Sequence, residues 1–330
     1  MKIRVTHFLR QSNQGGFSIE NVFERLRMSL SSEFEVKVYS CRYDARGFWG
    51  KWYEIIRVCF FQSEVNHIAG DAYFLNLLLP KKRTCLTFHD TVTPDHSKGL
   101  KKWLVKIFWY WIPEKRARVV VAVSEFTKKQ VIAHTGCRAD KIRVIHNPLS
   151  EGFERKTRVL KRRPRVLMIG TGRTKNTVRI LEALSGLDCD VSIVGPLNSS
   201  QLETITKYKI SHEVYLDLTS TEILKQYELS DIVVFASTYE GFGLPIIEAQ
   251  AVGRPVVTSN IEPMLEIAGD SACLVDPYDV SSIRAGILKV LENREYYDQL
   301  IQLGFENVKR FSPSLIAEKY AEIYRELASK

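Results

Sequence analysis

Twelve short apolar runs alternate with amphipathic segments along this chain of 330 residues. The first six runs are KIRVTHF, EVKVYSC, AYFLNLLL, RTCLTFHD, RVVVAVS and KIRVIHN, and the last six are RVLMIGT, DVSIVG, EVYLDL, DIVVFAS, RPVVTSN and ACLVD. Nearly continuous apolar strands separated by helical patterns are typical of parallel sheets that helices cover on both faces. The alternation therefore predicts an α/β protein with two doubly wound, Rossmann-like domains.

A polar and basic stretch separates the two series of runs. The sequence NPLSEGFERKTRVLKRRPR, residues 147–165, contains Pro148, Gly152 and Pro164 and has no sustained periodicity, as expected of a linker. We expect a first domain over residues 1–155, a second over residues 156–312 and a C-terminal helix over residues 313–330. Because that helix begins at a Ser-Pro pair and is apolar on one side, we expect it to pack back on the first domain.

The charge is divided unevenly between the two halves. Residues 1–165 have 32 Lys and Arg against 15 Asp and Glu, a balance of +17, and residues 166–330 have 15 against 23, a balance of −8. The first residues, MKIRVTHFLRQSNQGG, lack the apolar segment of a secretion signal, and no run of 18 apolar residues occurs, which predicts a cytoplasmic protein. The six cysteines are widely spaced without CxxC pairs, so neither a disulfide framework nor a zinc site is expected.

Two loops of the first half contain candidate binding residues, since ligands of open parallel sheets bind beyond the carboxyl ends of strands. Gly15 and Gly16 follow the first run and precede a helical pattern, where backbone N–H groups could approach an anion; an ordinary turn is the alternative. His89 and Asp90 end the fourth run. A neutral imidazole there could bond substrate hydroxyls with Asp90 as a second anchor, and a solvated or capping pair is the alternative.

Two loops of the second half indicate a phosphate site. In MIGTGRTKNTVRILEAL a strand leads through Gly170 and Gly172 to Arg173 and Lys175 and then to a helix that begins near Asn176. Two cations thus stand where backbone amides already favour phosphate, which would hold a diphosphate without a metal. A basic surface turn is the alternative interpretation.

The second of these loops, TYEGFGLPIIEAQAVG, places two carboxylates beside a helix start. Glu240 lies in the loop, Gly241 and Gly243 permit a tight backbone, and Glu248 falls about one turn into the helix that Pro245 begins. Carboxylates repel phosphate but suit hydroxyls, and sugars supply hydroxyls. The pattern predicts a diphosphate at the helix start, one acid for a sugar ring and one for a ribose.

At these residues the chain resembles the family-4 retaining glycosyltransferases of the bacterial cell-surface polysaccharide type, whose GT-B fold has two Rossmann-like domains facing a cleft. The E-x7-E motif of that family is matched by Glu240 and Glu248. The resemblance also covers GRPVVTSN, GDSACLVDPYD, VVAVSEFTKKQVIAH, IRVIHNP and GTGRTKN, and so nearly the whole chain. One departure is that GTGRTKN is about a residue shorter than the GTxxxRKN form of related members, which displaces the arginine.

The resemblance implies a hexosyltransferase (EC 2.4) that moves a sugar from a UDP- or GDP-sugar to a glycan acceptor with retention of configuration. In it, Glu240 would contact the donor sugar, Glu248 the ribose, and Lys175 the departing diphosphate. We predict catalytic roles for His89, Lys175 and Glu240, and donor binding by Gly15, Gly16, Asp90, Gly172, Arg173, Lys175, Glu240, Gly241, Phe242, Gly243, Leu244 and Glu248. Neither a metal nor another cofactor is expected, and the DxD sequence at Asp188–Asp190, which precedes a strand, is interpreted as structural.

Aromatic residues in the basic half suggest where the acceptor comes from. RGFWGKWYEIIRVCFFQS and SKGLKKWLVKIFWYWIPEKRAR combine five tryptophans with clusters of Lys and Arg, and such helices lie at anionic membrane surfaces. We expect peripheral association with the inner face of the cytoplasmic membrane and a lipid-linked or oligosaccharide acceptor in lipopolysaccharide, O-antigen or capsule synthesis. Aromatic residues that face the core are the alternative.

Two other functions remain open from the sequence. A nucleotide-sugar epimerase of the same fold would bind a similar donor, although the acids fit E-x7-E better. A nucleic-acid-binding protein would use the basic half, but no RNP, helix-turn-helix or finger motif occurs, so we expect no nucleic-acid partner.

Overall fold

The strands of the computed structural model form two separate parallel sheets. The structure describes residues 2–10, 18–41, 48–91, 99, 103–104 and 106–329. The chain divides into two compact units: Met1–Pro148 with Ser312–Lys330 form the first, and Leu149–Phe311 form the second. The division after Pro148 falls within the stretch that was expected to be a linker.

The sheet of the first unit has six parallel strands in the order β2-β1-β3-β4-β5-β6. Their bounds are β1 Ile3–Leu9, β2 Phe34–Ser40, β3 Val65–Ile68, β4 Thr84–Phe88, β5 Val119–Ala122 and β6 Ile142–Val144. The helices between them are α1 Ser18–Ser29, α2 Phe48–Arg57, α3 Ile112–Arg116 and α4 Glu125–Thr135, with a π-helical segment at Lys106–Trp111 and 3-10 turns at Val58–Phe60, Tyr73–Leu78, Lys81–Arg83 and Ala139–Lys141.

One predicted strand of this sheet is wrong. The run AYFLNLLL contains the 3-10 segment Tyr73–Leu78, and the third strand is instead Val65–Ile68. A short apolar run fits a strand and a buried helical turn equally well, and Tyr73 and Leu75 are buried in the core. The true strand was missed because two of its four residues, Asn66 and His67, are polar, although both are fully buried.

The sheet of the second unit has the order β12-β11-β10-β7-β8-β9, again with parallel neighbours. Its strands are β7 Arg165–Ile169, β8 Asp190–Val194, β9 His212–Tyr215, β10 Ile232–Phe235, β11 Val256–Ser259 and β12 Cys273–Val275. Its helices are α5 Thr177–Leu184, α6 Ser199–Tyr208, α7 Ser220–Leu229, α8 Leu244–Ala251, α9 Met264–Ala268, α10 Val280–Glu292 and α11 Arg294–Val308. All six strands predicted for this half are confirmed.

Local sequence signals account for where these helices begin. Capping boxes start α6, where Asn198 and Gln201 bond reciprocally, and α7, where Thr219 and Glu222 do the same. The inner faces of α5 and α10 pack with β7, β8 and β10 in one apolar core that includes Leu181. With both sheets parallel and helices between successive strands, the predicted pair of doubly wound Rossmann-like domains is confirmed.

The last helix, α12 Pro313–Ala328, belongs to the first unit. Its buried side includes Tyr320 and Tyr324. The hydroxyl of Tyr324 lies 2.9 Å from His7 Nε2 and 2.7 Å from His67 Nδ1. Distant segments of the chain thus meet in a buried hydrogen-bond network. Among the described residues, no helix has both the length and the apolar character needed to cross a membrane.

Candidate functional site

The loops after β7 and β10 lie at the point where the strand order of the second sheet reverses. From β7 the chain proceeds to β8 and β9 on one side, and it then returns to β10 on the other side of β7. Crevices at such switch points, beyond the carboxyl ends of the strands, are where open α/β sheets bind ligands. The two loops that the sequence indicated as a phosphate site are therefore neighbours in space.

Hydrogen bonds tie these two loops together. The side-chain amide of Asn176 donates to the carbonyl oxygens of Ala236, at 2.9 Å, and Pro277, at 2.6 Å. The backbone N–H of Thr238 donates to the carbonyl of Thr174 at 2.8 Å. Asn176 is the residue before α5, but its side chain does not cap that helix. Its amide joins the loop after β7 to the loops after β10 and β12.

Lys175 is placed by the glycine that precedes it in the loop. Gly170 has a φ of +82°, and a Cβ added there would lie 3.0 Å from Cε of Lys175. The aliphatic part of the lysine thus lies directly over the glycine backbone, which only glycine permits in this conformation. Gly172 differs, because a Cβ at that position would meet no atom within 4 Å.

The ammonium group of Lys175 forms an ion pair with Glu240 across the two loops. Nζ of Lys175 lies 2.8 Å from Oε1 of Glu240, and both side chains are largely buried. Nζ also lies 4.7 Å from the centre of the Phe235 ring, a favourable cation–π distance. An ammonium group has three N–H donors, so this contact to Glu240 leaves donors for a ligand.

The beginning of α8 presents backbone amides that no side chain caps. Gly243 is the residue before the helix, with a φ of +109°, and no side chain accepts a bond there. Pro245 has no N–H, and the N–H of Ile246 donates to the carbonyl of Gly243 at 3.0 Å. Within the part of the chain that the structure describes, the N–H groups of Gly243 and Leu244 donate to no protein acceptor. They are available to an anion at this helix end.

The residues just before this helix are packed differently. The side chain of Phe242 is buried and meets the ring of Phe311 edge-on at 5.7 Å. Gly241 also has interactions within the protein. Of the four predicted amide donors, Gly243 and Leu244 are therefore the two whose N–H groups the geometry leaves available to a ligand.

Glu248 lies one turn into α8 and accepts two hydroxyl hydrogen bonds. Its Oε1 lies 2.6 Å from the Ser150 hydroxyl and its Oε2 lies 2.8 Å from the Tyr227 hydroxyl. Burial raises the pKa of Glu248, while these two hydrogen bonds and the charge of Lys175 oppose that shift. The carboxylate is held in one orientation with acceptor capacity left for a ligand hydroxyl.

Arg173 is an exposed cation at the same loop. It begins the 3-10 turn Arg173–Lys175, and within the described residues its side chain makes no ion pair. Lys175, in contrast, is already paired with Glu240. The site therefore combines one positioned cation and one free cation.

His89 and Asp90, two of the residues predicted in the first unit, lie at the carboxyl end of a strand in its own sheet. His89 follows β4, is buried, and has Nε2 2.9 Å from the carbonyl oxygen of Ala69. Because a carbonyl only accepts, Nε2 has the proton and Nδ1 is left as an acceptor. Burial lowers the pKa of His89, which keeps the ring neutral, against the opposing effects of the Ala69 carbonyl and Asp90. Gly15 and Gly16 lie outside the described residues.

The DxD sequence lies away from these loops. Asp190 begins β8, and Asp188 precedes it, so both are at the amino end of the strand. Their carboxylates contact Arg163 at 3.6 Å for Asp188 and 3.0 Å for Asp190. These contacts agree with a structural role for the pair.

Three residues that contact the site were missed in the sequence. Tyr227 lies in α7, Ser150 lies in the stretch interpreted as a linker, and the amide of Asn176 joins loops rather than capping a helix. No periodicity or spacing links Tyr227 or Ser150 to Glu248, since the separations along the chain are 21 and 98 residues. Only Asn176 had a signal, its place directly after Lys175.

Large apolar side chains of the first unit, most of them aromatic, are exposed on two helical segments, and we call them together the aromatic surface. Its members on α2, the turn after it and the segment around Lys106–Trp111 are Trp49, Trp52, Tyr53, Ile56, Phe60, Phe61, Trp103, Leu104, Phe108 and Trp111. Trp49 is 81% exposed and Phe60 is 82% exposed. Trp109 is the exception among the tryptophans, because it packs on Phe74 at 5.5 Å and under Lys51 at 4.3 Å. The contact with Lys51 also shows that the two helical segments are neighbours.

Two family models match consecutive parts of the chain. Residues 20–151 match the model described as Glycosyltransferase Family 4, and residues 151–306 match the model described as Glycosyl transferases group 1. An O-antigen chain mannosyltransferase B of Escherichia coli is 28% identical over 265 residues, which cover 72% of this chain and 69% of that protein. The serotype-specific mannosyltransferase WbdA of the same species is 26% identical over 60% of this chain, which spans only 27% of WbdA.

Solved structures share the fold over nearly the whole chain. The Anabaena protein Alr3699/HepE, determined with UDP and glucose, superimposes with a TM-score of 0.81 at 17% identity and covers 97% of this chain and 99% of its own. WaaG, described as a glycosyltransferase involved in lipopolysaccharide biosynthesis, gives a TM-score of 0.71 at 12% identity, with coverage of 97% and 99%.

Proposed function

Because the chain belongs to the family-4 glycosyltransferases of GT-B fold, we propose that it transfers a hexose from a UDP- or GDP-sugar to a glycan acceptor with retention of anomeric configuration. We place this transfer in the synthesis of a surface polysaccharide such as lipopolysaccharide, O-antigen or capsule. The names of the mannosyltransferase relatives and of the lipopolysaccharide enzyme with the same fold support that assignment.

The strongest support for a diphosphate donor is that Lys175 and an uncapped helix start both lie at the switch point of the second sheet. The free amides of Gly243 and Leu244 and the partial positive charge of the α8 terminus favour an anion. The cations Arg173 and Lys175 stand on the adjoining loop. Four independent groups thus favour negative charge at one place.

The two glutamates would bind the uncharged parts of the donor. Glu240 lies beside the ammonium group that would contact the diphosphate, so its carboxylate is near the sugar end. Glu248 is fixed deeper along α8 by Ser150 and Tyr227, where ribose hydroxyls could donate to its free lone pairs. In this proposal Ser150 and Tyr227 position the Glu248 carboxylate that binds the ribose.

In the reaction itself, the bond between the sugar C1 and the diphosphate oxygen breaks, and a bond from C1 to an acceptor hydroxyl oxygen forms on the same face. A diphosphate oxygen takes the proton of the acceptor hydroxyl, so no pair of carboxylic acids flanking the bond is required. Lys175, Arg173 and the helix amides stabilise the charge that develops on the diphosphate as it leaves. In this proposal no metal takes part, since two cations and two amides supply the positive charge.

The neutral imidazole of His89 fits a role in sugar binding. Its Nε2–H is used by Ala69, which fixes the ring, and Nδ1 can accept from a sugar hydroxyl. Asp90 follows it at the carboxyl end of β4 and would be a second hydrogen-bond acceptor. We propose that both residues bind hydroxyl groups of a sugar.

The aromatic surface supports peripheral binding to an anionic membrane, which would bring the enzyme to a lipid-linked acceptor at the inner face of the cytoplasmic membrane. Exposed tryptophan and phenylalanine combine there with a strongly basic half of the chain, the composition that favours interfacial binding. In vesicle sedimentation, Trp49→Ser with Phe60→Ser should reduce binding to anionic vesicles about tenfold. The exposed Leu202→Ser on α6 is the control, and equal binding by both variants would remove the membrane proposal.

A panel of nucleotide sugars tests the donor assignment. Thermal unfolding is measured with UDP-, GDP-, dTDP- and ADP-sugars, with GDP-mannose included because two relatives are named mannosyltransferases. A ligand at 100 times its Kd stabilises a protein by about 2.7 kcal/mol, so the donor should raise the melting temperature clearly. Transfer of a radiolabelled sugar from that donor then identifies the activity, and a panel without any stabilising nucleotide sugar would count against the proposal.

A further inference from the structure

A cavity of about 470 Å³ lies at the amino-terminal edge of the first sheet. The turn Lys81–Arg83 precedes β4, Arg118 precedes β5, and the turn Ala139–Lys141 precedes β6. Because these strands are parallel neighbours, their amino ends meet at one edge. His89 follows the opposite end of β4, about 15 Å away for a strand of this length. The cavity is therefore separate from His89 and Asp90, the sugar-binding candidates of this unit.

Charged side chains make up nearly all of the cavity lining. The cations are Lys81, Lys115, Arg118, Arg138, Lys141 and Arg143, the acids are Glu114, Asp140 and Glu326, and Val119 is the remaining lining residue. Six cations against three acids leave a net charge of +3. A lining with Val119 as its single apolar residue disfavours a nucleobase or the face of a sugar ring, since pockets for such ligands are mostly apolar.

Each acid of the lining is already neutralised by a neighbour. The buried Glu114 has Oε1 2.6 Å from Lys141 Nζ and Oε2 3.2 Å from Lys115 Nζ. Asp140 forms a two-point contact with Arg138. Glu114 thus pairs with two lysines, and both carboxylate oxygens of Asp140 pair with one arginine.

The remaining acid of the lining, Glu326 on α12, bonds to Arg143. Lys81 and Arg118 then have no acidic partner among the described residues. Both are exposed to the cavity and the solvent. Like charges held together in this way attract an anion.

We propose that this cavity binds a small multivalent anion of the phosphate type. Guanidinium groups match phosphate oxygens with two parallel hydrogen bonds, and ammonium groups add point charge. The volume lies within the range of roughly 300–1,000 Å³ for small-ligand sites. The anion is either soluble, such as phosphate or pyrophosphate, or the phosphate head group of an anionic lipid, because α3 directly follows the exposed Trp111.

The chain offers a closely matched pair of lysines for the test. Lys81 lines the cavity, whereas Lys82 is exposed on the same 3-10 turn and does not line it. Pyrophosphate is titrated by calorimetry into the wild-type protein, Lys81→Glu, Lys82→Glu and the double variant Lys81→Glu with Arg118→Glu. We expect roughly tenfold weaker binding at one class of sites for Lys81→Glu, a larger loss for the double variant and wild-type affinity for Lys82→Glu.

Pyrophosphate bound at the donor site does not confuse this result, because that site is the same in Lys81→Glu and Lys82→Glu. If the double variant does not fold, Lys81→Gln replaces it, and unchanged melting temperatures without anion show that each variant is intact. Equal affinities for Lys81→Glu and Lys82→Glu, or no pyrophosphate binding by the wild-type protein beyond the donor site, would overturn the proposal.

Vesicle binding then identifies the source of the anion. If the anion is a lipid head group, Lys81→Glu should bind anionic vesicles more weakly than Lys82→Glu, and pyrophosphate should displace the wild-type protein from the vesicles. A soluble ligand predicts equal vesicle binding by the two variants alongside their different pyrophosphate affinities. Both results support an anion site, and they separate its two sources.

Discussion

The two units use polar residues in opposite ways. In the second unit, the buried residues of β7 and β10 are apolar, and the charged pair Lys175 and Glu240 lies beyond the carboxyl ends of these strands. In the first unit, polar side chains lie within the strands themselves: His7 in β1 and His67 in β3 are fully buried. The comparison teaches that one sheet architecture can reserve its polar groups for a ligand or use them to hold its own parts together.

The buried network of the first unit replaces apolar packing with hydrogen bonds. His67 bonds to Tyr324 at 2.7 Å and to the Thr87 hydroxyl at 2.7 Å, so both ring nitrogens are satisfied. Such a network stabilises the fold only while every member has its partner. We therefore expect substitutions in this network to affect stability, and substitutions at the loops of the second unit to affect catalysis.

Substitution of Lys175 should have the largest effect. Lys175→Ala removes the positioned cation beside the departing diphosphate and should lower kcat about 100- to 1,000-fold, the loss typical of one electrostatic donor. Stability should also fall by about 1–3 kcal/mol, because the largely buried Glu240 loses its partner. Sugar transfer and the melting temperature are measured together, with the exposed Lys207→Ala as control, and a kcat within threefold of wild type would refute the role.

The second largest effect is expected from mild acid, which should destabilise the first unit. Burial lowers the pKa of His67 to about 3 and that of His7 well below its ordinary value, with the charges of His67 and Arg27 adding to the shift of His7. Burial also lowers the pKa of His89. Below about pH 6.5 the unfolded chain binds protons that the folded unit does not, so this stability is present above pH 6.5 and is lost as the pH falls.

The expected loss is about 2–3 kcal/mol in the free energy of unfolding between pH 6.5 and 5.5 for three such groups. This loss is measured by urea unfolding at a series of pH values, monitored by hydrogen exchange in β1 and α12. His7→Gln, which keeps an amide near the position of Nε2, should flatten the profile. A free energy of unfolding for this unit that does not change over that range would contradict the assignment of neutral buried histidines.

Removal of one hydroxyl should lower the stability of the first unit without a change in the affinity for the nucleotide sugar. Tyr324→Phe removes the hydroxyl that bonds His7 Nε2 and His67 Nδ1 and should cost about 2 kcal/mol of stability in the first unit. Tyr320→Phe is the matched control on the same helix, because its hydroxyl makes only a 3.4 Å contact with Thr87. The affinity for the nucleotide sugar should be unchanged in both variants, and equal destabilisation by both would show that the bridge to the histidines adds nothing.

The smallest effect is expected at Tyr227. Tyr227→Phe removes a 2.8 Å hydrogen bond to Glu248 and should raise the donor KM about tenfold with little change in kcat, since the ribose does not react. Glu248→Gln is the companion variant, and it should raise KM at least as much. A fall in kcat without a change in KM would show that Tyr227 acts on the chemistry and not on donor positioning.

Sequence patterns predicted the second unit better than the first for a physical reason. Each of its strands contains at least two apolar residues inside a run that the pattern shows, and the central strands β7 and β10 are apolar at every buried position. Its site residues follow those strands closely in the chain, as Lys175 follows β7. The strand Val65–Ile68 was missed because buried polar residues have no apolar pattern. The partners of His7 and His67 lie 317 and 257 residues away, and only the folded chain reveals such contacts.

The central claim is that a nucleoside diphosphate binds at the amino-terminal end of α8 beside Lys175. The most direct test is a crystal structure of the protein with UDP or GDP, chosen by the tighter affinity. The account predicts diphosphate oxygens at about 2.7–3.2 Å from the N–H groups of Gly243 and Leu244 and from Lys175 Nζ, with the ribose at Glu248. A nucleotide bound elsewhere, with the Lys175–Glu240 pair and the helix end untouched, would contradict it.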